Sequence, residues 1–132
     1  MTVFADTSAL FALVAPDDLH APEADRLWQS FTRTDPTLVS TNYVWLEALT
    51  LLQRRSGMGA ARAFLQNVAP LIQWIWVDRE VHDAAVDRLL QIDHRGVSLV
   101  DCASFEVMQR EGIDRVFAFD PHFAEFGFTL LA

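Results

Sequence analysis

The amino-acid sequence predicts an α/β fold with a mainly parallel sheet, and three of its features carry that prediction. Short apolar stretches rich in Val, Ile and Phe indicate buried strands. Longer segments with apolar residues at helical spacing lie between them, and most are bounded by residues that start or stop helices. The resulting order is strand, helices, strand, helices, strand, helices, strand and strand, which is typical of a parallel sheet with helical connections.

The composition limits what kind of protein this is. With 132 residues and 52% hydrophobic content, we expect a single domain over residues 1–132 with a buried core. The formal net charge is −8, and all ten basic residues are Arg, which excludes a protein that coats nucleic acid by broad electrostatic attraction. The single cysteine, Cys102, fits a reducing compartment. Because neither a signal peptide nor a membrane span is apparent, we expect a cytoplasmic protein that does not enter a membrane.

A single acid lies between the first predicted strand and the helix that follows it. Residues 3–5 are apolar and indicate a buried strand, and Asp6 before Thr7 and Ser8 is typical of a helix start, with the helix ending at Pro16. Asp6 lies at the carboxyl end of the strand, which is the edge where open α/β sheets bind ligands. Taken alone, this placement leaves two interpretations equally open, a functional acid or a plain helix cap.

A second acid lies inside an apolar helix. A helix from residue 20 to Pro36 carries its large apolar residues on one face, and residues 38–40 form the second strand. Thr41 or Asn42 then caps a strongly apolar helix over residues 43–52, in which Glu47 is the only charged residue. Because burial of an unpaired carboxylate is costly, we expect a metal ion or a proton to compensate Glu47.

A glycine-rich break precedes the third strand. The sequence predicts a helix over residues 60–68 that Pro70 ends, and then a strand over residues 72–77. Asp78 caps a long amphipathic helix that ends at Gly96. The acids on its outer face are expected to be solvated; they are Glu80, Asp83 and Asp87.

The last third of the chain holds two more acids at the ends of elements. Ser98 opens a helix that runs to residue 111, and Asp101 three residues later resembles part of a capping box. An apolar strand over residues 116–119 ends in Asp120, and residues 128–131 form the last edge strand. A cap explains Asp101 and a turn explains Asp120 when each is taken alone, but independent caps and turns do not require Glu47.

Four carboxylates that converge point to a divalent cation. They repel one another and hold raised pKa values unless a hard cation lies among them. Mg²⁺ is the expected ion, with Mn²⁺ as a second choice, because both take oxygen ligands. Such an ion lowers the pKa of a bound water, orients a phosphodiester and stabilises the leaving oxygen. The pattern therefore favours phosphodiester hydrolysis.

The motifs together resemble a known family. Asp6-Thr7-Ser8-Ala9-Leu10, the Glu47 helix, residues 98–105 (SLVDCASF) and residues 117–123 (FAFDPHF) are similar, in order and spacing, to a PIN domain of the VapC toxin type. The resemblance covers essentially the whole chain and implies a three-layer fold with a five-stranded sheet of order 3-2-1-4-5. It also implies a metal-dependent endoribonuclease that acts on structured RNA and is held in check by a cognate antitoxin.

The resemblance assigns roles to individual residues. It implies that the catalytic residues are Asp6, Glu47, Asp101 and Asp120, that three of them hold the metal (Asp6, Asp101 and Asp120), and that Ser8 and Ser98 support them. One position departs from the family pattern. Many members carry Thr or Ser two residues before the last acid, where this chain has Ala118.

Other functions are less well supported by the residues. A non-catalytic PIN-like interaction module is the alternative, and such a module would be expected to have lost one or more of the acids. An aspartyl-phosphate phosphatase needs a second Asp at the position of Ser8, and a receiver domain needs a Lys, which this chain lacks. The four histidines have no metal-ligand spacing and are interpreted as surface or loop residues.

The aromatic content predicts surfaces that face partners. Four Trp and ten Phe are many to bury in a small domain, so we expect a homodimer that also binds an antitoxin through exposed apolar residues. The expected exposed residues are Trp28, Phe31, Trp45 and Met58.

Overall fold

The computed structural model describes residues 1–131. Its strands are β1 (Thr2–Ala5), β2 (Thr37–Thr41), β3 (Gln73–Ile75), β4 (Arg115–Phe117) and β5 (Thr129–Leu130). Its α-helices are α1 (Thr7–Val14), α2 (Ala21–Thr34), α3 (Asn42–Ser56), α4 (Met58–Ala63), α5 (Arg79–Ile92), α6 (Leu99–Glu111) and α7 (His122–Glu125). A π-helical turn, Phe64–Val68, and a 3₁₀ turn, Ala69–Leu71, connect α4 to β3.

The five strands form one parallel sheet with the order β3-β2-β1-β4-β5. This confirms the predicted α/β class and the predicted strand order 3-2-1-4-5. The central strand β1 pairs with β2 on one side and with β4 on the other, with Phe4 opposite Val39 and Val116. Because β1 and β4 are parallel neighbours that are far apart in sequence, the loops after them leave the sheet side by side at its carboxyl edge.

The core lies around the central strands. Val3, Phe4 and Ala5 of β1 are completely buried, as expected for a parallel strand that is covered on both faces. Helix α1 packs against α2 and α3, and α5 packs against α6. Five phenylalanines are among the largest fully buried side chains, namely Phe4, Phe64, Phe105, Phe117 and Phe123. Burial of each such side chain contributes about 1.5–3 kcal/mol, so the sheet and its helices are held mainly by this apolar contact.

Three predicted strands are shorter in the structure, and the last of them covers Thr129–Leu130 and not residues 128–131. The third strand covers Gln73–Ile75 and not residues 72–77, because Val77 has already turned to donate its backbone N–H to Asn42 Oδ1 (2.7 Å). The fourth strand covers Arg115–Phe117 and not residues 116–119. Here the backbone N–H of Phe119 donates to the Ser8 hydroxyl and makes no ladder bond. At the ends of the third and fourth strands, a side chain from another element takes the place of the ladder bond.

The predicted helix over residues 60–68 is also divided. A regular α-helix covers Met58–Ala63, and the chain then continues through the π-helical and 3₁₀ turns to Leu71. Pro70 lies within the 3₁₀ turn and does not end the helix directly. A proline fits there because the first turn of a helix leaves backbone N–H groups without partners, so the missing N–H costs nothing.

The exposed apolar residues differ from those that the sequence predicted. Trp28, Phe31 and Trp45 are partly buried against the core, and of the four predicted residues only Met58 is exposed. The other large hydrophobic side chains at the surface are Met1, Leu19, Leu46, Leu65, Leu71, Trp76 and Leu90. Within residues 1–131, no helix combines the length and the apolar character needed to cross a bilayer.

Candidate active site

The carboxyl ends of β1 and β4 bring two of the predicted acids to the same edge. Asp6 directly follows β1, and its backbone N–H donates to the carbonyl oxygen of Phe117, the last residue of β4 (3.0 Å). Asp120 follows three residues later in the loop that leaves β4. Chain segments that are distant in sequence therefore meet because of the strand order.

Ser8 connects these two loops. Its hydroxyl donates to Asp6 Oδ2 (2.6 Å) and accepts the backbone N–H of Phe119 (2.9 Å), while its own backbone N–H donates to Asp6 Oδ2 (3.1 Å). One hydroxyl thus orients the Asp6 carboxylate and holds the residue before Asp120 in place.

Asp101 enters the site from the first turn of α6. It forms a reciprocal capping box with Ser98: the backbone N–H of Asp101 donates to Ser98 Oγ (3.1 Å), and the backbone N–H of Ser98 donates to Asp101 Oδ2 (2.9 Å). The capping interpretation of Asp101 is therefore confirmed. Asp101 is nevertheless 8% exposed, whereas most capping acids lie at the surface.

The three aspartates use their carboxylates in the same way. Asp6 and Asp101 each accept backbone N–H bonds at Oδ2, and Asp120 accepts the backbone N–H of His122 at Oδ1 (2.9 Å). Within residues 1–131, the second oxygen of each carboxylate accepts no hydrogen bond from the protein. A local structural role and a role in binding a ligand are therefore compatible for each residue.

Glu47 lies on α3 at the edge of a groove. The side chain is half-buried and not enclosed, which corrects the expectation that Glu47 is a buried carboxylate inside an apolar helix. The groove has a volume of about 570 Å³ and is lined mainly by apolar side chains, including Leu46, Leu99 and Val100. Because Leu99 and Val100 precede Asp101 on α6, the groove adjoins the helical turn that carries Asp101.

The acids act on one another electrostatically. Burial raises the pKa of Asp6 to about 7; the hydrogen bonds from Ser8 oppose this rise, and the charges of Asp101 and Asp120 add to it. Burial also raises the pKa of Asp101, against the hydrogen bonds from Ser98, and the charges of Asp120 and Glu47 contribute further. All four predicted acids therefore belong to one electrostatic neighbourhood, in which negative charge is unfavourable without a compensating cation.

The donor set suits a hydrated divalent cation. Within the part of the chain that the structure describes, no three His, Cys, Asp or Glu side chains stand close enough to enclose a metal ion. Mg²⁺ does not need such an enclosure, because it keeps several waters and binds through one or two carboxylates together with substrate phosphates. Buried carboxylates with an available oxygen, in a site where negative charge is unfavourable, fit this mode of binding.

One histidine lies closer to the acids than the sequence interpretation implied. His122 Nδ1 is 2.8 Å from Asp120 Oδ1, and the His122 ring packs edge-on against the ring of His94. The signal for this contact was local: a residue two positions after an Asp in an Asx turn is placed beside the carboxylate. Metal-ligand spacing was the wrong criterion for finding it.

Comparison with known proteins identifies the family. Residues 3–129 match the family model described as PIN domain. The chain is 35% identical over 128 residues to the 23S rRNA-specific endonuclease VapC20 of Mycobacterium tuberculosis, covering 96% of this chain and 95% of that protein.

Solved structures agree with this assignment. The crystal structure of Mycobacterium tuberculosis VapC20, described as a sarcin-ricin loop cleaving toxin, matches with a TM-score of 0.88 and 34% identity over 97% of each chain. PAE2754 from Pyrobaculum aerophilum matches with a TM-score of 0.65 and 18% identity, covering 99% of this chain and 90% of that one, which shows a likeness of fold alone. The chain therefore belongs to the PIN-domain family and, within it, to the endonucleases of the VapC type.

Proposed function

We propose that this protein is a metal-dependent endoribonuclease and the toxin of a toxin–antitoxin pair. One observation carries the proposal. Asp6, Asp101 and Asp120 each accept the backbone N–H of a nearby residue with one carboxylate oxygen, and the other oxygen accepts no hydrogen bond from the described residues and can bind a cation. Burial and mutual repulsion raise the pKa values of Asp6 and Asp101, so their ionised forms are unfavourable. A bound cation would stabilise these ionised carboxylates.

The proposed roles follow the positions of the side chains. Asp6, Asp101 and Asp120 would hold Mg²⁺, or Mn²⁺ in its place, with one or two of the carboxylates as direct ligands and the rest through the waters that the ion keeps. Ser8 and Ser98 keep the first two carboxylates oriented. Glu47, at the groove beside them, takes up a proton from the attacking water. The bound ion supplies charge neutralisation for the phosphate and a lowered pKa for a water molecule.

The substrate and partners are proposed by analogy with the relatives. The VapC20 proteins are named for 23S rRNA and for the sarcin-ricin loop, so we propose that this chain also cuts a loop of ribosomal RNA. Such a substrate places the activity in the cytoplasm. We further propose that a cognate antitoxin restrains the enzyme and that two copies form a homodimer.

The metal requirement provides the test. A stem-loop RNA with the sarcin-ricin sequence should be cut with added Mg²⁺ or Mn²⁺ and remain intact in excess EDTA, and the downstream product should carry a 5′-phosphate because water is the nucleophile. Gel analysis and mass spectrometry of the products check both points. Asp87→Asn is the matched control, since Asp87 is an exposed acid on α5 outside the site, and it should cut as the parent does.

Two results would contradict the proposed mechanism. Cleavage that continues undiminished in EDTA would show that the acids need no metal. A 2′,3′-cyclic phosphate on the upstream product would show that the 2′-hydroxyl of the RNA attacked in place of water.

A further inference from the structure

We infer that the ring of His20 is a stacking platform for an unpaired base of the RNA, next to the acids. This inference rests on the proposed function, because it describes how the same site holds its substrate. It adds a contact to the nucleobase, whereas the acids meet only the phosphate.

The geometry of the ring supports this role. The imidazole of His20 lies parallel to the phenyl ring of Phe119, with 4.4 Å between the ring centroids and 3° between the planes. His20 is nevertheless an exposed residue, so one face of its ring is covered by Phe119 and the other is available. A flat ring with one covered face and one available face has the shape on which an unstacked base is held.

The backbone on both sides holds this pair of rings in place. The backbone N–H of His20 donates to Asp18 Oδ2 (2.9 Å), and its carbonyl oxygen accepts the N–H of Ala24 at the start of α2 (2.9 Å). The Phe119 ring packs edge-on against Phe117 of β4, with 6.3 Å between centroids. The platform is therefore preorganised and does not have to form when RNA binds.

Phe119 also connects the platform to the candidate active site. Its backbone N–H donates to Ser8 Oγ, which in turn donates to Asp6, and the next residue in the chain is Asp120. The pair of rings therefore adjoins the loop that carries Asp120, and we expect the base of a nucleotide held at these carboxylates, or the base of its neighbour, to lie on the outer face of His20.

The charge of the protein favours such a contact. A net charge of −8 opposes RNA binding over most of the surface, so the affinity must come from a few local contacts. Base stacking on an aromatic ring is independent of protein charge and tolerates any base sequence. The expected ligand is an unpaired nucleobase in a loop, because a base inside a helix has no face to offer.

Fluorescence of a base analogue tests the inference directly. The substrates are stem-loop RNAs, each with 2-aminopurine at a different loop position. Each RNA is mixed rapidly with the protein, and the quenching of 2-aminopurine fluorescence is measured before cleavage occurs. The parent should quench one position strongly, and His20→Ala should lose that quenching and bind about tenfold more weakly. His20→Phe should restore both the quenching and the affinity, because it keeps a flat ring on Phe119.

Leu19→Ala is the matched control, since Leu19 is the neighbouring residue and is 86% exposed, and it should behave as the parent does.

The outcomes separate this inference from the proposed function. Quenching by His20→Ala equal to that of the parent, or no position quenched by the parent, would overturn the inference, even if RNA is cut normally. Quenching that depends on His20 without any cleavage would support the inference and overturn the enzymatic function. Melting curves of His20→Ala and His20→Phe exclude unfolding as the cause of a loss.

Discussion

At the scale of single residues, the aspartates combine a structural and a chemical role. Asp6 caps α1 through Oδ2, yet it is 3% exposed and its pKa is raised to about 7. A plain capping residue lies at the surface and keeps its charge in water. Here the protein holds an acid where its ionised form is unfavourable, which is typical of a functional site.

Replacement of Asp6 by Asn separates the two roles. Asparagine also caps helices, so Asp6→Asn should keep the bond from Ser8 while it removes the charge. Because the folded-state pKa lies above the unfolded value of 3.8, ionisation of Asp6 destabilises the fold as the pH rises from about 4 to about 7, by about 4 kcal/mol at most. The metal-free parent should therefore lose stability over that range, and Asp6→Asn should lose less and cut no RNA.

Urea unfolding at pH 5 and pH 8 in EDTA checks this expectation. At pH 8, Asp6→Asn should be at least as stable as the parent. A variant that is less stable than the parent by the same amount at both pH values would show that Asp6 acts only as a cap.

At the scale of elements, two serines near helix starts make different kinds of contact. Ser98 closes a capping box within α6, so both of its contacts lie within one turn. Ser8, on α1, instead bonds to Phe119 in the loop after β4. Ser98 stabilises a single element, whereas Ser8 joins two elements whose relative position sets the site.

The two serine-to-alanine variants should therefore differ. Ser98→Ala should cost about 1 kcal/mol of stability and keep most of the activity, because the bond from the Ser98 N–H to Asp101 remains. Ser8→Ala should cost about 1–3 kcal/mol, because it leaves the Phe119 N–H without a partner, and it should lower kcat by at least tenfold.

Thermal unfolding and single-turnover cleavage of both variants provide the comparison. Equal losses of activity in Ser8→Ala and Ser98→Ala would show that the bridge between the two loops has no special part in the reaction.

At the scale of the whole molecule, several large apolar side chains are exposed at the surface. Leu46 is 68% exposed, Trp76 68% and Leu90 71%. Trp76 is part of a cluster with Trp45 and Trp74 at the edge of the sheet. Exposed apolar surface of this kind marks sites of protein association.

We therefore expect a homodimer at micromolar concentration. Association removes apolar side chains from water, so the dimer should persist at high salt, where surface ion pairs are screened. Sedimentation equilibrium at low and high salt measures this state. A monomer under both conditions would contradict the expectation.

Features that depend on contacts between near neighbours in the chain could be predicted from the sequence alone. The caps at Asp6, Asp78 and Ser98 occur as expected, and of the two candidates before the third helix it is Thr41 that caps it. Each cap is a bond between residues two or three positions apart. The α/β class follows in the same way from the periodicity of apolar residues, and the strand order followed from the family resemblance.

The way in which these helices and strands meet depends on contacts between distant parts of the chain. The bond between Ser8 and Phe119 spans 111 residues, and the stacking of His20 on Phe119 also joins distant segments. The ends of β3 and β4, and the half-exposed position of Glu47, likewise depend on side chains from other elements. No local pattern encodes such contacts, because they exist only once parallel strands from opposite ends of the chain have paired.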